Sequence, residues 1–509
     1  MSRIVLAALA AWMVAGEARA EVQPLTLPAV QSHRLDNGLL VLIYENDQVP
    51  LATFKLVAKA GSLLDAPGKE GTADLAARLM SYGTETLSED DISGTVDHLG
   101  ATLEAGAGQR SMMLYGNVTT VSPKSLRTFM DLYADVARNP AFRQEALDKV
   151  RQQRKGALVS LKEDNASLAA IAMQRVGLEG HPLGRPRGGT PTSLDAIGRE
   201  DLVDLYRRAF APEHMVLGVA GDVKASEILA WANERLGGLE WGSNCQPGQS
   251  GCKERICVPG KAPQTCERLC ILSMCEANPV LSMAAPAERD GLRVVLVDKQ
   301  DPTLNQVQWQ LGAPGVIATG DDDWFAWRLA TQVLGGDFTA RLNTVLRVKE
   351  GLTYGARLSV DHDTYRPGVI AVSTFVKPKD LVRSVELTLA ELRGIVTDPI
   401  GDEELQSFKS KVIESQPFRF ETTGSALDEI LNLRLGDLPD AFLAEYPVRL
   451  DAVTAEQALG AARRGLPVGG LTLVAVGNAD MAEELGKLLP QGGTVEVVPV
   501  DALLDPKPR

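Results

Sequence analysis

The chain has few histidines: five in 509 residues, at His33, His98, His181, His214 and His362. No two of them lie three or four positions apart, so no helix can present a pair of imidazoles to one metal ion. We therefore expect each histidine to be structural or solvent-facing. The sequence also has no G-x-S-x-G elbow, no P-loop and no G-x-G-x-x-G following a strand, so it carries none of the common hydrolase or nucleotide-binding signatures.

Long apolar runs are missing beyond the N-terminus, so no later segment is predicted to span a bilayer. Residues 1–20 have the pattern of a secretory signal peptide: Arg3, then an apolar stretch, then Ala18-Arg19-Ala20 before Glu21. A membrane anchor is the alternative, but this apolar stretch is shorter than the roughly 20 residues that a spanning helix needs. We expect an exported chain, periplasmic or secreted.

Cysteine is absent except in one short window, which contains all six: Cys245, Cys252, Cys257, Cys266, Cys270 and Cys275. An even, clustered count in an exported chain predicts a local disulfide framework, whose pairing the sequence leaves open. A metal knuckle is the alternative, but no C-x-x-C pair is present. Proline and glycine are frequent in the same window, as is typical of a loop rather than a core.

An excess of basic residues is also lacking. The formal net charge of −14 argues against a nucleic-acid partner, which would require a basic face.

The length is too great for one hydrophobic core and predicts two to four domains.

Two similar segments indicate an internal duplication. Residues 215–223 and 472–480 are both apolar strands that end at glycine and a turn-forming residue, and their starts (215 and 472) differ by 257. That offset suits a duplicated domain. We predict a signal peptide at 1–20, an N-terminal domain at 21–240, a Cys-rich linker at 241–285 and a C-terminal domain at 286–509.

Periodicity predicts strands and helices grouped in each half, with Ser88 as a helix N-cap. This favours an α+β class in which each domain is a mostly antiparallel sheet with helices on one face. The predicted strands are 39–44, 53–58, 101–105, 112–118, 293–297, 306–311, 354–360 and 369–375. The predicted helices are 75–82, 90–99, 125–138, 144–162, 168–177, 324–334, 379–395, 402–414 and 425–435.

Residues 71–84 (GTADLAARLMSYGT) have the frame of a metallopeptidase helix without its chemistry. With LDNGL at 35–39 and HPLGRP at 181–186, this frame resembles the pitrilysin/insulinase-type peptidases, whose H-x-x-E-H motif binds zinc through two histidines and uses the glutamate as base. The two histidine positions are Asp74 and Arg78 here, and the glutamate position is Ala77. A guanidinium cannot ligate a metal, and alanine cannot accept a proton.

The third zinc ligand of that family is a later glutamate, and the resemblance puts its position near Leu158. No carboxylate occurs between Asp148 and Glu163. We therefore predict that this chain binds no metal and that Asp74 forms an ion pair with Arg78. The resemblance also implies the fold, two homologous domains that together make half of a clamshell.

Residues 334–354 resemble the second signature of the family, with Arg347 and Tyr354 seven positions apart. The resemblance implies that Arg347 donates hydrogen bonds to a substrate carbonyl and that the Tyr354 hydroxyl stabilises an oxyanion. The alternative is a surface arginine and a core tyrosine at a helix-to-strand turn.

These observations favour the non-zinc subunit of a heterodimeric peptidase. The expected partner is an H-x-x-E-H chain that carries the zinc, and Arg347 and Tyr354 would act on a peptide held at the partner's site. A catalytically inactive scaffold or peptide-binding protein of the same fold is the second hypothesis. An autonomous metallopeptidase that uses Asp74 is the third and least favoured.

Overall fold

The computed structural model describes residues 21–239, 290–360 and 368–506. The predicted signal peptide, the linker with its six cysteines and His362 lie outside the described residues. Within the described part, no helix has the length and apolar character needed to cross a membrane.

Twelve strands of the described chain form two six-stranded sheets, each ordered along one half of the sequence. The strands are β1 Gln31–Arg34, β2 Leu40–Glu45, β3 Leu51–Ala58, β4 Thr102–Ala107, β5 Met112–Thr119, β6 Met215–Gly221, β7 Arg293–Asp298, β8 Val307–Pro314, β9 Arg357–Val360, β10 Val369–Val376, β11 Thr472–Gly477 and β12 Glu496–Pro499.

The two sheets share their topology at five of the six strand positions. Their orders are β1-β2-β6-β3-β5-β4 and β12-β7-β11-β8-β10-β9. In each, one central pair is parallel (β2 with β6, and β7 with β11), and the pairs from there to β4 or β9 are antiparallel. The sheets differ at the other edge, where β1 is antiparallel to β2 and β12 is parallel to β7. The repeated segments of the sequence are β6 and β11, which occupy equivalent positions. The predicted duplication is therefore visible strand by strand.

The helices follow the predicted positions closely, and Ser88 caps its helix through a capping box with Asp91. In the first half they are α1 Thr72–Leu79, α2 Glu89–Leu99, α3 Pro123–Arg138, α4 Gln144–Ser160, α5 Asn165–Gly177, α6 Pro191–Ala196, α7 Arg199–Ala209 and α8 Ala225–Leu236. In the second half they are α9 Trp324–Gly335, α10 Arg341–Asn343, α11 Leu381–Thr397, α12 Asp402–Ser415, α13 Thr423–Leu435, α14 Asp440–Ala444, α15 Tyr446–Asp451, α16 Ala455–Gly465, α17 Ala482–Gly486 and α18 Val500–Leu504.

Each sheet buries one face under the helices of its own half, as the α+β prediction requires. In the first half, Phe54 of β3 packs against Phe129, Tyr133 and Trp231 from α3 and α8. The buried Tyr133 hydroxyl accepts a hydrogen bond from the Leu56 amide at 2.8 Å and donates one to the Leu114 carbonyl at 2.7 Å. The tyrosine therefore joins α3 to two neighbouring strands without an unsatisfied polar group.

The opposite face of each sheet is covered by one helix from the other half. Alternation along the strands sends Val295, Val297, Val474 and Val476 to this face of the second sheet, where they pack with Leu168 and Met173 of α5. Leu42, Val216 and Ala220 of the first sheet similarly pack in one cluster with Leu427 and Leu431 of α13. The two exchanged helices start at residues 165 and 423, which differ by 258, so they are equivalent elements of the duplication.

Gly218 lets α13 lie directly on the first sheet. A Cβ atom at this position of β6 would lie 2.9 Å from the Leu427 Cδ1 atom and 3.1 Å from the Leu431 Cδ1 atom. Beside this contact, the Lys55 side chain of β3 is only 8% exposed and its ammonium lies 2.5 Å from a carboxylate oxygen of Asp428. Apolar packing and a partly buried ion pair thus both hold the halves together.

We predict that Gly218→Val destabilises the chain by about 1–3 kcal/mol, because the added methyl groups overpack the contact with α13. Chemical denaturation would measure the loss. Leu427→Ala opens space at the same contact, so the cost of Gly218→Val should be smaller in that background. An equal cost in both backgrounds would contradict this packing.

His214 should make stability fall in mild acid. Burial, with a contribution from the Lys59 charge, lowers its pKa to about 4. A depressed histidine pKa gives stability that is complete above the unfolded pKa of about 6.5 and is lost as pH falls towards 4. We expect the shifted pKa of His214 to lower the free energy of unfolding by about 2 kcal/mol between pH 7 and pH 5. Denaturation of wild type and His214→Asn at both pH values would check it, since the variant should lack that part of the loss.

Candidate functional site

Helix α1 carries Asp74, Ala77 and Arg78 and is called the signature helix below. Its N-terminus is fixed by a glycine turn and by a buried carboxylate. Gly71 precedes it with φ of +98°, a conformation that favours glycine. The buried Asp65 carboxylate accepts hydrogen bonds from the amides of Gly71 at 2.8 Å and Ala73 at 2.9 Å. Burial raises the pKa of the Asp65 carboxyl to about 7, and the two amide hydrogen bonds oppose that rise. The frame that the sequence shares with the peptidase helix is therefore a structural cap.

Asp74 lies between two guanidinium groups. Its Oδ2 atom accepts a hydrogen bond from Arg78 Nε at 2.9 Å, which confirms the predicted pair one helical turn apart. The same oxygen lies 3.2 Å from Arg154 Nε, on the neighbouring helix α4. Arg154 Nε also donates to the Gly188 carbonyl at 3.2 Å. The carboxylate is thus neutralised from both sides.

Arg154, which the sequence did not single out, contacts Asp74, whereas Leu158 of the same helix does not. Leu158 is buried in the apolar core of the first half, whereas Arg154, one turn earlier on α4, reaches the signature helix. The sequence places Arg154 on the same face of α4 as Leu158, because residues four positions apart lie one above the other on a helix. The sequence does not show the contact with Asp74, and without it Arg154 could not be told apart from the other polar residues of α4. Ala77, in the position of the catalytic base, is fully buried in the same core.

These side chains do not fit a zinc ion. The one carboxylate among them is already bonded to two cations, and a third positive charge beside them would be repelled. Elsewhere in residues 21–239, 290–360 and 368–506, no group of three His, Cys, Asp or Glu side chains is placed to hold a metal.

A cavity of about 360 Å³ opens beside the two arginines. Arg78, Tyr82 and Arg154 line it from the helices, and residues 103–105 of β4 line it from the sheet. Among the described strands β4 pairs with β5 alone, so it is an edge strand of the first sheet. The cavity therefore lies where an extended chain could pair with the sheet edge.

The second signature is held rigidly by buried polar contacts. Asn343, which is buried, donates to the Asp337 carbonyl at 2.9 Å and accepts from the Ala356 amide at 2.9 Å. A π-helix, Thr344–Lys349, carries Arg347, and such segments are common at functional sites. Gly351 then reverses the chain with φ of +64°. Strand β9 begins at Arg357, three residues after the predicted start at Tyr354. Tyr354 lies instead in a turn, in which the Gly355 amide donates a hydrogen bond to the Thr353 hydroxyl.

Arg347 and Tyr354 are presented differently. The Arg347 guanidinium stacks on the ring of Phe338, 3.8 Å from its centroid, and its Nη1 atom is buried without a hydrogen-bond partner among the described residues. Tyr354 is 81% exposed, with its ring 6.3 Å from that of Phe375. The alternative of a core tyrosine is therefore wrong. Among the described residues, no hydrogen bond, ion pair or ring contact joins this pair to Asp74, Arg78 or Arg154.

Two family models match the chain. Residues 40–190 match the insulinase model of peptidase family M16, and residues 196–412 match the model of the M16 inactive domain. The chain belongs to the insulinase family of peptidases. The first match contains the altered signature helix, and the second contains Arg347 and Tyr354.

Relatives of this chain in the insulinase family include proteins described as peptidases and as non-peptidases. An uncharacterized zinc protease of Rickettsia bellii is 26% identical over 382 residues, which are 74% of this chain and 81% of the relative. The non-peptidase homolog YmxG of Helicobacter pylori is 22% identical over 423 residues, 81% of this chain and 85% of the relative.

Solved structures of the family share the fold. A peptidase M16 inactive domain from Pseudomonas fluorescens has a TM-score of 0.74 and 20% identity, covering 89% of this chain and 98% of that one. The periplasmic protease PqqL of Escherichia coli has a TM-score of 0.68 and 16% identity, covering 94% of this chain and 50% of PqqL. This chain therefore spans about half of the PqqL structure.

We predict that rebuilding H-x-x-E-H alone will not restore a zinc site. A variant with Asp74→His, Ala77→Glu and Arg78→His keeps the Arg154 cation beside the new ligands, so its zinc affinity should be roughly 100-fold weaker than that of the same variant with Arg154→Glu. Metal analysis after dialysis against zinc would compare them, with Leu158→Glu as the control fourth change. Equal zinc binding with and without Arg154→Glu would contradict the assigned role of Arg154.

Proposed function

We propose that this chain is the non-zinc subunit of an exported zinc metallopeptidase. It pairs with an H-x-x-E-H subunit, binds peptide, and supplies Arg347 and Tyr354 to the partner's site. The observation that carries the proposal is the contrast between its two signatures. The positions that correspond to metal ligands hold an ion-pair cluster, whereas Tyr354 is 81% exposed and the Arg347 Nη1 atom has no hydrogen-bond partner in the part of the chain that the structure describes.

The size of the chain supports a two-chain enclosure. The two halves are joined into one unit by α5 and α13, and that unit corresponds to half of the PqqL structure. A second unit of the same fold would complete a clamshell around a peptide. The similarity to a periplasmic protease agrees with the signal peptide that the sequence predicts, and both support export.

Arg347 and Tyr354 supply complementary chemistry in this scheme. A guanidinium offers fixed, parallel N–H donors, which suit a substrate carbonyl, and stacking on Phe338 orients those donors. An exposed tyrosine hydroxyl can donate to the oxyanion that forms when the scissile carbonyl is attacked. This chain would contribute no base and no metal, which leaves both to the partner.

A scaffold without catalysis is the second candidate, and the relative described as a non-peptidase homolog favours it. A scaffold has no chemical need for the exposed Tyr354 hydroxyl. Co-isolation of the tagged mature chain from its native compartment, followed by mass spectrometry, separates the two. A stoichiometric H-x-x-E-H partner supports the peptidase subunit, and its absence supports the scaffold.

We predict that Tyr354→Phe lowers kcat of the isolated complex roughly 100-fold, because one oxyanion donor is lost, and leaves assembly intact. Peptide turnover and size-exclusion chromatography would measure the two effects. The matched control is Tyr44→Phe in the first half, which removes a hydroxyl whose one hydrogen bond within the described residues is accepted from Asn46. Unchanged kcat in Tyr354→Phe would contradict the catalytic role and leave the scaffold hypothesis.

A further inference from the structure

The cavity beside Asp74 has the electrostatics of an anion site. Two guanidinium groups share one carboxylate, which leaves a net positive charge in the cluster. Arg78 Nε donates to Asp74, and Arg154 Nε donates to the Gly188 carbonyl and lies 3.2 Å from the Asp74 carboxylate. Within the described residues, the terminal nitrogens of Arg78 and Arg154 form no hydrogen bond. The Arg78 and Arg154 side chains are 47% and 24% exposed, so these donors remain open to the cavity.

Glu104 is the one acidic residue of the cavity wall, and the strand geometry turns it away. Successive side chains of a strand point to opposite faces. Leu103 and Ala105 pack against the core on the side of the signature helix, whereas Glu104 is exposed. In the part of the chain that the structure describes, both arginines form their ion pairs with Asp74 and not with Glu104. Its carboxylate therefore does not occupy the guanidinium groups.

The position of the cavity selects a peptide as the carrier of the anion. It lies against residues 103–105 of the edge strand β4, and no strand of the described chain pairs with the outer side of β4. An extended peptide can add to such an edge through main-chain hydrogen bonds. A carboxylate on that peptide would then meet two guanidinium forks, which bind carboxylates through paired hydrogen bonds.

We infer that the altered metal site is a carboxylate-binding pocket that anchors an extended peptide on β4 through Arg78 and Arg154. This inference rests on the proposed peptide binding and names the group that is bound. The two arginines occupy the region that corresponds to the metal site of active family members. The pocket is therefore positively charged, and it binds a peptide without cleaving it. The carboxylate can come from the peptide C-terminus or from an acidic side chain.

Calorimetric titration of the full mature chain would test the inference with three N-acetylated peptides of eight alternating Thr and Val residues. One ends in a free carboxylate, one in a carboxamide, and one is the carboxamide with Glu at the last position. At least one carboxylate peptide should bind roughly tenfold or more tightly than the neutral amide, as expected for a paired charge-assisted contact. Which of the two gains affinity identifies the source of the carboxylate.

Arg78→Gln should remove that preference, and Arg154→Gln is a second variant for the same purpose. Arg127→Gln on α3 removes the same charge from an exposed ion pair with Glu234 and should keep the preference. Equal affinity for all three peptides would overturn the carboxylate pocket and leave peptide binding standing. Binding of none of the three would overturn the pocket and also the peptide binding on which it rests. If a variant fails to fold, the affinities of the three peptides for the unmodified chain still decide whether the pocket binds a carboxylate.

Discussion

The exchange of α5 and α13 between the halves is the contact on which the rest of the structure depends. Each six-stranded sheet has two apolar faces: one lies under the helices of its own half, and the other packs against a helix of the other half, joined in the second sheet by Leu503 and Leu504 of α18. The second face must be removed from water, and the equivalent helix of the other half does so. Because the exchange is reciprocal, neither half has a complete core alone. The chain therefore presents its two signatures on one body rather than on independently mobile domains.

Within that body, the signature helix shows how a metal centre can be replaced without loss of its frame. The Asp65 cap and the glycine turn are retained, because they hold α1 in place whatever its side chains do. The positions that the family resemblance assigns to the metal and the base carry Asp74, Ala77 and Arg78. Arg78 and Arg154 place fixed cations around Asp74, and the buried Ala77 has joined the core.

The second signature has kept features that packing alone does not require. Stacking on Phe338 holds the Arg347 guanidinium, and the Gly351 turn leaves Tyr354 in solvent. An exposed aromatic residue and a partly unsatisfied cation each add little to the stability of an isolated chain. Both become useful only when another surface or a peptide is brought to them. This agrees with a chain that works as half of a larger enclosure.

The sequence by itself determined the α+β class, the duplication and most element positions, because periodicity, caps and turns are local properties of the chain. It also determined the Asp74–Arg78 pair, since residues one turn apart on a helix must be neighbours. Only the tertiary structure decided that α5 and α13 cover each other's sheets and that Arg154, not Leu158, reaches Asp74. Those contacts join residues far apart in sequence, and their geometry comes from how whole layers pack. Exposure of Tyr354 was likewise decided there, because no local pattern distinguishes a buried tyrosine after a turn from a solvent-facing one.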